Sequence, residues 1–153
     1  MSLLDRLLRA PLTAAHGLLK LSWRLRRPRT FGAHAVALTP ERRIVLVRLR
    51  YAPGWRLPGG GHGPDEDSRE AVLRELREEI GLVSYGGVKI AAELEENVRS
   101  KRDLASLFIV EDVRYRPRWS WEIEQVMEAE PDDLPKDLAR STAGWLAALR
   151  GRF

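Results

Sequence analysis

Cysteine is absent from the 153-residue sequence. Its absence excludes a disulfide framework, a thiolate zinc site and a cysteine nucleophile, and it is consistent with a reducing cytoplasm. Long apolar runs are also missing, because Arg6, Arg9, Lys20 and Arg24 interrupt every candidate for the roughly 18 residues that cross a bilayer. We therefore expect a cytoplasmic protein with neither a transmembrane helix nor a secretory signal.

Positive charge is concentrated near the N-terminus of the chain. The formal net charge is +4, but residues 1–30 hold seven basic residues and one acid. The remaining 123 residues hold 19 basic and 21 acidic residues, a net charge of −2. A nucleic-acid-binding body loses support from this distribution, and no DNA partner is expected.

Residues 1–29 form a predicted basic amphipathic helical arm. Leucines at helical spacing make apolar stripes on either side of Pro11 and Gly17, which favours two short helices. One interpretation is an arm that packs on its own domain or on the partner in a homodimer. The other is a basic segment in contact with an anionic membrane surface.

Residues 30–153 are long enough for a single domain with its own core. Apolar residues make up 44% of the chain and charged residues 31%, which is typical of a globular protein. The pattern predicts strands at 33–38, 44–50, 88–94 and 104–113, loops at 51–64 and 95–103, a helix between Asp67 and Gly81, and a closing helix at 138–149. This order indicates an α/β fold, with an α/β/α layered domain.

Three glutamates of the central helix share one face. Glu75, Glu78 and Glu79 stand at i, i+3 and i+4, whereas Leu73 and Leu76 belong to a second, core-facing stripe. Clustered carboxylates repel one another, and a hard divalent cation such as Mg²⁺ would compensate them. A merely solvated face, neutralised by neighbouring arginines, is the competing interpretation.

The glycine-rich loop and this helix together match one longer pattern. Gly60 is followed by five residues, Glu66, seven residues and then the sequence RELREEIGL at 74–82. Seven specified residues at roughly 7% usage each match by chance about once in 10⁸ trials. The segment resembles the Nudix box, G-x5-E-x7-R-E-U-x-E-E-x-G-U, in which U is a bulky aliphatic residue, and Gly54 to Gly59 resemble the usual approach to it.

The resemblance implies a Nudix-type α/β/α sandwich with a mixed sheet, and a role for each box residue. Glu75, Glu78 and Glu79 would be carboxylate ligands of Mg²⁺, or of Mn²⁺, with a backbone carbonyl of Gly59 or Gly60 as a further ligand. Glu66 and Arg74 would form an ion pair that orients the helix. Gly60, Glu66, Arg74 and Gly81 would then form the structural part of the box.

The sequence does not decide which residue serves as the general base. Glu75 or Glu79 could accept the proton, but many members of the Nudix family use a glutamate on a late loop outside the box. Residues 121–124 resemble that region, with Glu122 the preferred candidate and Glu124 the second. Both could instead be surface charges. His62 could touch phosphate, although a loop histidine without a task is the simpler interpretation.

The sequence gives only weak evidence for the residues that contact the rest of the substrate. Arg99, Lys101 and Arg102 could meet phosphates from the predicted loop at 95–103. Trp55, Tyr51 and Phe108 could stack a base, but burial in the core is the default for an aromatic residue.

The predicted activity is Mg²⁺-dependent hydrolysis of a pyrophosphate bond in a nucleoside diphosphate linked to another group, with a small nucleotide as substrate. One rival is a catalytically weak ligand-binding or regulatory module, against which the intact box argues. Another is removal of pyrophosphate from RNA 5′ ends, with the basic arm holding the strand. Subfamily marks for particular substrates are missing from 98–101, so the substrate is not identified.

Overall fold

The computed structural model describes residues 31–98 and 101–153, with side chains described for 31–95 and 103–153. The predicted arm at 1–29 and Arg99 lie outside these residues. Within them the strands are β1 Phe31–Ala37, β2 Ile44–Leu49, β3 Ala52–Arg56, β4 Gly59–His62, β5 Leu82–Ser84, β6 Gly87–Val98, β7 Lys101–Glu111, β8 Arg114–Tyr115 and β9 Ile123–Ala129. The helices are α1 Ser68–Glu79 and α2 Arg140–Ala148.

The strands form a mixed four-stranded sheet and two smaller sheets. The large sheet has the order β4-β1-β7-β6, in which β1 and β7 are parallel and the outer pairs are antiparallel. A second sheet has the order β3-β2-β9, and β5 pairs with β8. The prediction of an α/β fold with a mixed sheet is therefore confirmed, and the strands divide among three sheets.

Two apolar clusters lie on opposite sides of the strands. Along β2, Val45 and Val47 belong to the cluster that contains α1, whereas Ile44 and Leu46 belong to the cluster that contains α2. Side chains of a strand alternate between its faces, and β1, β2, β7 and β9 accordingly contribute buried residues to both clusters. The buried strands therefore have one helix on each side, as the predicted α/β/α layering requires.

The segment at 51–64, predicted to be a loop, contains β3 and β4. Strand β3 includes Pro53 and Gly54, and β4 is three glycines followed by His62, so intrinsic β-propensity is low in both. They become strands because the backbone pairs with β2 and β1, respectively. Long-range pairing overrides the local turn signal here.

The predicted loop at 95–103 is also wrong, because β6 and β7 extend into it. Their backbone pairing continues to Val98 and Lys101, so Lys101 and Arg102 lie at the start of a strand.

Candidate active site

Helix α1 presents its three glutamates in two different environments. Glu75 and Glu79 are 4% and 5% exposed, whereas half of the Glu78 side chain is exposed. Buried carboxylates are rare unless a partner compensates the charge. Their burial at consecutive turns of one helix therefore marks a site rather than a solvated surface.

The backbone of β4 supplies a partner for Glu79. The amide of Gly59 donates a hydrogen bond of 2.8 Å to Glu79 Oε2. Gly59 has a φ of 147°, and a Cβ atom there would lie 2.3 Å from the carbonyl oxygen of Ala33. Only glycine allows this approach of β4 to β1, which brings the amide to the carboxylate.

Arg74 joins the remaining carboxylates of the box. Its Nε donates to Glu66 Oε1 at 2.9 Å, and its Nη1 donates to Glu75 Oε1 at 2.9 Å. The same Nη1 lies 3.5 Å from Glu78 Oε1. Its hydrogen bonds lower the pKa of Glu66, and the carboxylates in turn raise the pKa of Arg74. The ion pair implied for Glu66 and Arg74 is present.

The two ends of α1 are fixed by residues that the sequence marked. The Asp67 carboxylate accepts the amides of Arg69 and Glu70 at 3.0 and 3.1 Å, as an N-cap does. Gly81, with a φ of 72°, follows the last turn, and a Cβ there would lie 2.0 Å from the carbonyl oxygen of Arg116. The predicted glycine stop is confirmed.

A cleft of about 340 Å³ opens beside the box. It includes four of the predicted site residues, namely Gly59, Gly60, Glu79 and Glu122. Glu75 and Glu78 do not line it and lie on α1 around Arg74. The cleft therefore joins the box to residues contributed by other elements, which are Phe31, Gly32, His34, Val47, Leu49, Arg56, Leu57, Gly61, Asp103, Leu104, Ala105, Ser141, Thr142 and Trp145.

Glu122 and Glu124 differ in position, because Glu122 precedes β9 and Glu124 lies in β9 at a register shift. Glu122 lines the cleft, and its carboxylate accepts a hydrogen bond from the hydroxyl of Tyr51. Its amide donates to Ser120 Oγ at 3.1 Å. Glu124 is exposed and does not line the cleft. Of the two glutamates outside the box, Glu122 is the one that lines the same cleft as Glu79.

The structure also gives the positions of Trp55, His62 and Phe108. Trp55 does not line the cleft, because its ring packs 4.5 Å from the Arg48 guanidinium and its backbone bonds to residues 137 and 139. His62 is buried rather than exposed, and its Nδ1 donates to the carbonyl of Gly63 at 2.8 Å. Phe108 is core, as the default interpretation had it. The side chain of Arg102 lies outside the described side chains.

Most of the cleft lining was missed by the sequence analysis, including His34, Arg56, Thr142 and Trp145. His34 stacks on Trp145 with ring centroids 4.7 Å apart, Thr142 Oγ1 accepts the amide of Leu57 at 3.3 Å, and Arg56 follows Trp55 on β3. The Nε atom of Arg56 is buried and has no hydrogen-bond partner among the described residues. If residues 52–56 had been read as a strand, alternation would have placed Arg56 and Trp55 on opposite faces.

The donor set suits a hard divalent cation, although the carboxylates are not gathered around a centre. Among the side chains described at 31–95 and 103–153, no three of His, Asp or Glu converge as a metal cage. Glu75, Glu78 and Glu79 nevertheless offer carboxylate oxygens from one helical turn, beside the backbone of 59–61. Oxygen ligands of this kind are what Mg²⁺ and Mn²⁺ prefer.

The fold and the site define a class: an α/β/α domain whose acidic helix follows a glycine strand at the edge of a cleft. The model of the NUDIX domain family matches residues 28–149. The chain therefore belongs to the NUDIX family. Helices within the described residues do not include one that is long and apolar enough to span a membrane.

Sequence relatives share only part of their length with this chain. An RNA pyrophosphohydrolase of Gluconacetobacter diazotrophicus is 45% identical over 56 residues, which is 31% of this chain and 34% of the relative. A Bacillus subtilis protein, provisionally named an 8-oxo-dGTP diphosphatase, is 42% identical over 61 residues, 40% of this chain and 41% of the relative. The chain thus matches less than half of the length of these curated relatives, which are named as enzymes that hydrolyse acid anhydrides.

Solved structures resemble the chain over most of its length. The MutT NUDIX hydrolase from Burkholderia pseudomallei superposes with a TM-score of 0.66 at 24% identity, covering 78% of this chain and 96% of that one. At this identity the likeness supports the fold alone.

Proposed function

We propose that the chain is a Mg²⁺-dependent hydrolase, also able to use Mn²⁺, that cuts a pyrophosphate bond in a nucleoside diphosphate linked to another group. The observation that carries the proposal is the burial of Glu79 against the Gly59 amide, on the lining of a cleft that also holds Glu122. A cleft of about 340 Å³ has the size of a small-molecule site. The small nucleotide that we propose as substrate agrees with this size.

Metal binding is assigned to Glu75, Glu78 and Glu79, with a carbonyl of Gly59 or Gly60 in addition. When bound, Mg²⁺ supplies positive charge to the diphosphate oxygens and lowers the pKa of a coordinated water. Arg74 is a positioning residue, since it contacts Glu66, Glu75 and Glu78 but does not line the cleft. It holds the carboxylates of α1 in place.

Glu122 is proposed as the base that takes a proton from the attacking water. The Tyr51 hydroxyl donates to the Glu122 carboxylate, and Ser120 Oγ accepts the Glu122 amide, so both contacts hold Glu122 at the cleft. Arg56 is proposed to bind a substrate phosphate, because its buried Nε has no partner among the described residues and its side chain lines the cleft. Glu75 and Glu79 remain alternatives for the base.

The test is a panel of nucleoside diphosphate derivatives and nucleoside triphosphates with Mg²⁺, in which the products are identified. Glu78→Gln removes a charge without burying a new group, because half of the Glu78 side chain is exposed. We expect kcat/KM to fall by about 100-fold or more, since even residues that only support metal ligands contribute 10- to 100-fold. Glu70→Gln, on the exposed first turn of the same helix, is the matched control.

Calorimetry with Mg²⁺ and Mn²⁺ measures metal binding apart from turnover. Uptake that Glu78→Gln weakens and Glu70→Gln preserves is the expected result. If neither ion binds, even with nucleotide present, the enzymatic proposal fails. Activity that survives Glu78→Gln would remove Glu78 from the metal site.

A second candidate substrate is the triphosphorylated 5′ end of RNA. The partial relative named as an RNA pyrophosphohydrolase favours it, and the basic residues of 1–29 would add affinity for the strand. If the arm binds the RNA strand, RNA binding should weaken steeply with salt and should become weaker when residues 1–28 are removed. Flotation of the same truncated protein with anionic vesicles tests the alternative proposal of membrane contact.

A further inference from the structure

Two tryptophans are exposed side by side on the connection between β8 and β9. Trp119 and Trp121 are 68% and 45% exposed, and their rings meet edge to face with centroids 4.3 Å apart. Indole rings bury a large apolar area when they find a partner, and they are enriched at binding surfaces. A pair of them left in solvent therefore indicates a surface that binds something.

Exposed arginines accompany the tryptophans. Arg114, Arg116 and Arg118 occupy alternate positions, and residues 114–121 include no acid. None of the three forms an ion pair with the described side chains. Residues 31–153 as a whole have a net charge of −2, so this arginine–tryptophan segment, residues 114–121, is a local exception.

The arginine–tryptophan segment is fixed to the site at both ends. The Arg116 amide donates to the carbonyl of Gly81 at 2.9 Å, directly after α1. At the other end, Ser120 Oγ accepts the amides of Glu122 and Ile123 at 3.1 Å, and Arg50 Nε donates to the Ser120 carbonyl at 3.3 Å. The segment is thereby held in place beside Glu122, a cleft residue.

We propose that the arginine–tryptophan segment binds single-stranded nucleic acid outside the cleft. Aromatic rings stack on bases of any sequence, and neighbouring arginines contact the phosphates, which is the combination that single-strand-binding surfaces use. A membrane surface fits less well, because only two residues of the segment are both apolar and largely exposed while three carry positive charge. Binding at this surface does not depend on the proposed hydrolysis.

The test is fluorescence anisotropy of a 3′-labelled oligouridylate that has a 5′-hydroxyl group, with the full chain and without added Mg²⁺. Trp119→Ala combined with Trp121→Ala should weaken the Kd by about tenfold or more, the effect expected for lost stacking. Arg116→Ala combined with Arg118→Ala should lower the slope of log Kd against log salt by about 1.4, since each phosphate contact on a single strand contributes roughly 0.7.

Matched controls remove similar groups elsewhere on the surface. Val83→Ala combined with Tyr85→Ala removes exposed apolar area, and Arg69→Ala combined with Arg150→Ala removes the same charge. Both should leave the affinity unchanged. Because the arm at 1–29 is present in every variant, its contribution cancels in the comparison.

Three results would overturn the proposal. The first is oligouridylate affinity that the tryptophan substitutions leave unchanged. The second is that these substitutions abolish flotation with anionic vesicles but not oligouridylate binding, which would make the surface a membrane contact. The third is that they dissociate a dimer in sedimentation without affecting oligouridylate binding.

The probe has no pyrophosphate bond, so loss of hydrolysis in Glu78→Gln with unchanged oligouridylate affinity would separate the two proposals. Failure of the binding proposal would likewise leave the hydrolysis assay unaffected.

Discussion

The lining of the cleft has two parts that are built by different means. The box lining, residues 59–61 and Glu79, comes from β4 and the adjoining helix α1, within about twenty residues of sequence. The outer lining, which includes His34, Arg56, Thr142 and Trp145, comes from β1, β3 and α2. A local sequence pattern therefore specifies the box lining, whereas long-range packing assembles the outer lining.

The largest expected effect is in the box lining. Glu79→Gln keeps the shape of the side chain and a carbonyl that accepts the Gly59 amide, but it removes the charge. We expect kcat/KM to fall by about 100-fold or more, with little change in melting temperature, because ligand loss should exceed the 10- to 100-fold cost of losing a supporting residue. Unchanged kcat/KM, with Glu70→Gln as the reference, would mean that the box lining does not perform the chemistry.

A second substitution tests the residue that supports the box. Arg74→Lys keeps the charge but loses the planar fork that reaches Glu66 and Glu75 together. A loss of roughly 10- to 100-fold in kcat/KM is expected, along with weaker Mg²⁺ binding by calorimetry. Arg77→Lys, exposed on the same helix, provides the control. Equal activity in both variants would show that Arg74 does not position the carboxylates.

The outer lining should respond differently. Arg56→Ala is expected to raise KM by about tenfold and to leave kcat nearly unchanged, since a hydrogen bond to a charged group contributes roughly 1.5–3 kcal/mol. A higher KM with an unchanged kcat is expected when a substitution removes a contact that stabilises the ground state and the transition state equally. A fall in kcat with constant KM would instead assign Arg56 to the chemical step. Arg150→Ala is the control on an exposed arginine.

The same contrast explains what the sequence could predict. The box spacing and the Asp67 and Gly81 caps depend on neighbours within one helix or turn, so the pattern was sufficient for α1. Strand β4 was missed because its three glycines carry no β-propensity, and it exists through pairing with β1. Glu122 was found through resemblance alone.

Arg56 and Thr142 could not be placed from the sequence, because their position depends on contacts between distant elements. Leu57 and Thr142, for example, are separated by 85 residues and joined by one hydrogen bond. Trp55 was chosen instead of Arg56 for the same reason, since the face that a side chain occupies is undefined until its segment is known to be a strand.

The smallest expected effect concerns the stability that the Glu66–Arg74 pair gives to the box lining. Arg74 lowers the pKa of Glu66 below its usual 4.5, mainly by hydrogen bonding. A carboxyl group with a lowered pKa stabilises the folded state above its unfolded pKa, and that contribution is lost as the pH falls through the folded pKa. The pair is partly exposed, so its contribution should stay below about 1 kcal/mol.

Glu66→Gln should therefore be less stable than the wild type at neutral pH, and this difference should shrink as the pH falls below 4.5. Urea unfolding at a series of pH values measures the difference. In an Arg74→Ala background the pH dependence of the substitution should disappear, because the partner that lowers the pKa is gone. A difference that persists with Arg74 removed would trace the effect to His62 and to the backbone of Gly63, which also lower the pKa of Glu66. In that case the box lining would be stabilised by its own loop rather than by the ion pair.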